Sequence, residues 1–91
     1  MRLKWLPASR RDLQRLYDFL FGVNPLAAAR RIDQILDTTE KLLDQPRLGH
    51  VLEGMQPNDV RAWIVGDYEV RYEIDGDTIV ILRIWHTRED R

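Results

Sequence analysis

The nine-residue run Thr78–His86 (TIVILRIWH) constrains this chain more than any other feature. It is rich in β-branched residues, apolar on both faces for most of its length, and preceded by the turn sequence Asp75-Gly76-Asp77. A strand of that kind belongs inside a sheet, covered by helices on at least one side. Ninety-one residues leave room for one such pair of layers around a small core. The expectation is a single α+β domain over residues 1–91.

The first half supplies the helical layer. Arg2 to Leu6 reads as a short first strand, ended by Pro7, which has no N–H to give to a ladder. Ser9 with Asp12 three residues on reads as a capping box. Leu13, Leu16, Tyr17, Leu20 and Phe21 then recur at helical spacing, and Gly22 is placed to end the helix. Asn24-Pro25 is the N-cap and first position of a second helix, with Ile32, Ile35, Leu36, Thr39, Leu42 and Leu43 on its buried face and Gln45-Pro46 closing it. So short a connection makes the two helices an antiparallel hairpin.

Leu48 to Asp59 has no sustained period and reads as a loop of about a dozen residues. Val60–Val65, a turn at Gly66-Asp67, the alternating stretch Tyr68–Ile74 and the final strand then form a three-stranded antiparallel meander, with the helices on one face.

Composition narrows the chemistry. The chain has no cysteine, so disulfides and thiolate metal sites are excluded and a reducing compartment is the natural setting. No apolar run approaches the roughly 20 residues that cross a bilayer, and a cytoplasmic location is expected. Net charge is −1, unevenly spread: Met1–Leu48 holds nine Lys/Arg against six Asp/Glu, Gly49–Arg91 five against nine. That footprint is too weak for direct DNA binding by this chain alone. No phosphate-cradling glycine loop, Ser/His/Asp order or metal-ligand cluster is visible, so neither cofactor nor metal is expected.

Two sets of residues could still form a site. Strict alternation puts Val80, Leu82, Ile84 and His86 on one face of the last strand and Ile79, Ile81, Arg83 and Trp85 on the other. With helices over the first set, Arg83 and Trp85 look out beside Arg71, and with Trp63 and Arg61 of the strand before. Such a face is either a binding surface, since Arg and Trp serve as interface anchors, or a core margin over which Arg side chains lie. His86 and His50 could make an acid–base pair, or His86 a hydrogen-bonded structural residue. Arg83 and His86 fall on opposite faces unless a bulge intervenes.

Several segments in order resemble the RelE/ParE superfamily of toxins from bacterial type II toxin-antitoxin systems. They are Lys4-Trp-Leu-Pro-Ala8 before Asp12-Leu13 and Leu16-Tyr17-Asp18; Asn24-Pro25 with Ala27, Ala28 and Arg30; and Pro46-Arg47-Leu48-Gly49. Tyr68 to Tyr72, Asp75-Gly-Asp77 and Ile81-Leu-Arg-Ile-Trp-His86 with Arg88 complete the series. The ParE-like branch is the nearer: Ile64 stands where the nuclease branch would place an arginine, and nothing aromatic follows Trp85. The resemblance implies a growth-inhibiting, plasmid-stabilising toxin that acts on DNA gyrase without a catalytic residue of its own. It also implies a hetero-oligomer with a ParD-like ribbon-helix-helix antitoxin. The tail of that antitoxin would lie near Arg10, Arg11, Arg30 and Arg31, and Trp63, Arg71, Arg83, Trp85, His86 and Arg88 complete the candidate partner-binding set. The alternative it implies is a RelE-type, metal-free, ribosome-dependent mRNA endoribonuclease using Arg83, His86 and Arg88.

Overall fold

The computed structural model describes residues 1–89. Strand β1 (Arg2–Trp5) leads into helices α1 (Pro7–Val23) and α2 (Pro25–Asp44), followed by strands β2 (His50–Val51), β3 (Asp59–Val65), β4 (Tyr68–Asp75) and β5 (Thr78–His86). The sheet order is β1-β5-β4-β3-β2. All pairs are antiparallel except β1 with β5, which runs parallel, with Arg2 opposite Thr78 and Trp5 opposite Ile81. Strands β3, β4 and β5 alternate in direction, and β1 lies along the outer edge of β5 in the same direction as β5 and β3. The expected α+β architecture holds, with two additions. The sheet is mixed, and the segment expected to be all loop contributes the short strand β2. The last strand is interior but not the middle one, a place taken by β4.

Local chemistry explains the helix ends, and in two places differs from expectation. Asn24 accepts hydrogen bonds from the N–H groups of Leu26 (3.1 Å) and Ala27 (3.2 Å), the capping expected of Asn before Pro. Its own N–H closes α1 onto Leu20 O (2.8 Å), so α1 runs one residue past Gly22 and one residue serves both helices. The Ser9–Asp12 capping box does not form. Pro7 already occupies the first helical position, Ser9 sits inside the first turn, and its hydroxyl donates to Leu6 O (2.7 Å).

The core lies between the hairpin and one face of the sheet: Leu16, Ile35 and Leu42 pack on Tyr68, Val70, Tyr72, Ile79, Ile81 and Ile84. Leu36, expected in this layer, is exposed, and Ala28 and Thr38 are buried instead. Tyr72 ties the end of α2 to the sheet. Its hydroxyl donates to Pro46 O (2.7 Å) and accepts from the Gly49 N–H (2.9 Å). Tyr72→Phe leaves that carbonyl and N–H without their partner and should cost about 1–3 kcal/mol, read as a lower urea midpoint at unchanged slope.

Candidate functional site: the end of strand β5

The last third of β5 gathers the candidate residues, and an irregularity decides where they point. Tyr72 pairs with Ile81 but Arg71 with Arg83, leaving Leu82 as an extra residue. This β-bulge resets the alternation. Residues directly opposite share a face, so Ile84 and His86 stay on the helical side with Val70 and Tyr68, while Arg83 and Trp85 lie on the open side with Arg71 and Glu69. The bulge therefore turns Ile79 and Ile81, expected on the open side, into the core with Ile74 and Tyr72, puts Val80 on the open side with Glu73, and leaves Leu82 without a partner in the register. It does not bring Arg83 and His86 together.

Trp63 does not join the open cluster as expected. It pairs with Val70 and packs against the core on the helical side. Arg61, opposite Tyr72, is likewise on that side, bonded to Asp59 (2.9 Å) and Gly49 O (3.0 Å). His50 pairs with Ala62, in the same row as Arg71 and Arg83. It is three inter-strand steps from Arg83, about 14 Å at normal sheet spacing, and on the opposite side of the sheet from His86. The two histidines form no acid–base pair.

On the open face Arg71 and Arg83 stand directly opposite, a pairing of like charges that is normally unfavourable. Both guanidinium groups lie over the Trp85 ring, 4.6 and 5.0 Å from its centroid, and each has a carboxylate. Arg71 donates to Glu69 (3.0 Å). Arg83 donates twice to Asp12 of α1, Nε to Oδ2 (2.7 Å) and Nη2 to Oδ1 (3.1 Å).

Asp12 does more than neutralise. The pairing of β1 with β5 stops at Ile81, because the chain turns into α1 at Pro7. Beyond that point Asp12 Oδ2 accepts the Ile84 N–H (2.9 Å), and Arg15, one turn on, donates to Ile84 O (3.4 Å). Two helical side chains thus stand in for the missing edge strand. Burial pushes the Asp12 carboxyl up; the hydrogen bonds from Arg83, the Ile84 N–H and Arg15 outweigh it and hold the group below its ordinary 3.8.

On the helical side the same end of β5 walls a groove of about 650 Å³. Leu16, Phe19 and Leu20 of α1 face Tyr68 and His86 across it, and the two rings meet edge to face at 5.3 Å. The cations Arg15, Arg31 and Arg88 and the acids Asp67 and Glu89 complete its lining. His86 Nδ1 accepts the Arg88 N–H (3.1 Å). Glu89 accepts from the His86 N–H (2.9 Å) and from Arg15 (2.7 Å). Arg10, Arg11 and Arg30 are exposed on the hairpin and line neither feature. Phe19, Val23 and Leu26 leave an apolar tip, each more than 70% exposed (71%, 74% and 73%).

Asp12, Arg15 and Glu89 are not site candidates on sequence grounds, where Asp12 reads only as a helix-capping residue. One signal for Asp12 was present: it sits one turn before Leu16 on the apolar stripe, where an unpaired carboxylate would be costly. No group of three or more His, Cys, Asp or Glu that could hold a metal occurs among the described residues, and no helix there is long and apolar enough to cross a membrane.

The chain is similar to known proteins over nearly its whole length. The family described as the ParE toxin of the type II toxin-antitoxin system parDE matches residues 3–91. The curated protein Toxin RelE3 of Caulobacter vibrioides is 34% identical over 85 residues, covering 93% of this chain and 92% of that protein. Among solved structures, the chromosomal ParDE system of P. aeruginosa aligns with TM-score 0.79 at 25% identity, covering 94% of this chain and 95% of the other. The toxin-antitoxin complex RelBE2 of Mycobacterium tuberculosis aligns with TM-score 0.72 at 26% identity, covering 93% and 95%. The chain belongs to the RelE/ParE superfamily and is a toxin of a type II toxin-antitoxin system.

Proposed function

We propose that this toxin acts in the ParE manner, by binding and blocking DNA gyrase, and is neutralised by an antitoxin tail seated in the groove between α1 and the end of β5. The observation that carries the reading is the state of the open-face cations. Arg83 is committed to Asp12 and Arg71 to Glu69, and His86 lies on the other side of the sheet. A nuclease built on Arg83 and His86 would need the two on one face; His86 instead shares the groove with Arg15, Arg31 and Arg88, where its Nδ1 accepts the Arg88 backbone N–H. A protein-binding toxin needs no such pair. In the Arg71–Trp85–Arg83 stack the Trp85 ring is buried beneath the two guanidinium groups, so the patch offers a target chiefly the half-exposed Arg83, while the groove takes the antitoxin.

The cellular test follows incorporation of labelled thymidine and methionine after induction. DNA synthesis should stop first, with protein synthesis continuing for at least a generation. Immediate loss of methionine incorporation would contradict the reading. Expression together with the antitoxin should restore both.

A further inference from the structure

One of the groove's lining carboxylates, Glu89, already holds one of its lining cations, Arg15. We propose that Glu89 is an intramolecular stand-in for an acidic side chain of the antitoxin, holding Arg15 until a partner carboxylate displaces it. This rests on the groove being the antitoxin's seat. The Glu89 carboxylate straddles the groove mouth, with Oε1 on the His86 N–H (2.9 Å) and Oε2 on Arg15 Nη1 (2.7 Å). Burial pushes that carboxyl up and the bonds from His86 and Arg15 overcome it, so it stays ionised.

The two carboxylates on Arg15 differ in a way that sets the order of release. The Asp12 side chain is only 5% exposed and bound three further times, so that contact stays. The Glu89 pair is 45% and 30% exposed, which makes it weak and exchangeable. A segment that places apolar residues on Leu16, Leu20 and Tyr68 brings its flanking carboxylates to Arg15, and Glu89 lets go. The partner chemistry is thus an acidic amphipathic segment, and Glu89 lowers its affinity by competing for the same cation.

The probe is a fluorescent 16-residue helical peptide with Leu at three- and four-residue spacing and Glu beside each Leu, compared by polarisation with its Gln-for-Glu counterpart. Glu89→Gln should bind the acidic peptide about three- to five-fold more tightly than the unaltered chain, with no change for the Gln peptide. Asp67→Asn removes an equal charge from the groove without touching Arg15 and should give less than a two-fold gain. Equal gains in the two variants would reduce the effect to net charge and overturn the competition. Equal affinity of the Glu89→Gln variant and the unaltered chain would overturn it as well, while leaving the groove as a seat. Failure of both to bind either peptide would sink the seat together with the competition.

Discussion

Replacing Asp12 by alanine is expected to destabilise the domain by about 2–3 kcal/mol. Breaking a fully buried pair costs roughly 3–5 kcal/mol; the value here is lower because the Arg83 side chain is 43% exposed and can turn to water. What remains is the Ile84 N–H, whose acceptor is gone, and the Arg83 guanidinium over Trp85, left without its carboxylate beside Arg71. In a domain of this size the loss should lower Tm by roughly 10–20 °C. Asp12→Asn keeps an acceptor for Ile84 but no charge for Arg83, and should recover about 1 kcal/mol.

The pH dependence has a definite sign. Asp12 is held below its ordinary 3.8 and Glu89 below its ordinary 4.5 in the folded chain. A carboxylate depressed on folding stabilises above its unfolded pKa, and that contribution is lost as pH falls through the folded value. The unaltered protein should therefore lose urea resistance steeply below about pH 4, and Asp12→Asn should flatten the fall. An equally steep fall in Asp12→Asn would assign the acid sensitivity to other carboxylates.

Gly49→Ala is the second large effect. A Cβ there would stand 2.8 Å from Ala62 O, Tyr72 Cε1 and Tyr72 Oη alike. Tyr72 is fully buried and Ala62 O belongs to a strand, so neither yields cheaply. A cost of about 2–3 kcal/mol is expected, measured by chemical denaturation. Combining it with Tyr72→Phe should cost less than the sum of the two, since the second change removes one of the clashing atoms. Full additivity would mean that the two sites do not share this contact.

The parts of the fold set by local chemistry were legible in the sequence. Asn24-Pro25 could only open a helix after a tight turn, and the run at Thr78–His86 could only be an interior strand. Legibility failed where a side chain served a distant element. Ser9-x-x-Asp12 has the spacing of a capping box, but Asp12 belongs to the edge of β5, more than seventy residues on. The bulge at Leu82 likewise leaves no mark in an apolar run, because Leu, Ile and Val fit either face. Strict alternation therefore misplaces Ile79, Val80 and Ile81, and it puts Arg61 and Trp63 on the wrong side. The candidate site was half visible: its cations and Trp85 stand out by type, while the carboxylates that hold them do not.

These carboxylates bear on function as well as on stability. With Asp12 and Glu69 in place, both open-face cations are paired over the Trp85 ring rather than left free for phosphate. The most direct measurement adds the purified chain to DNA gyrase in a supercoiling reaction and, in parallel, to ribosomes translating a defined message. Supercoiling should stop, with cleaved DNA accumulating, while the message stays intact. Normal supercoiling at excess toxin, with codon-positioned cuts in the message, would contradict action on gyrase.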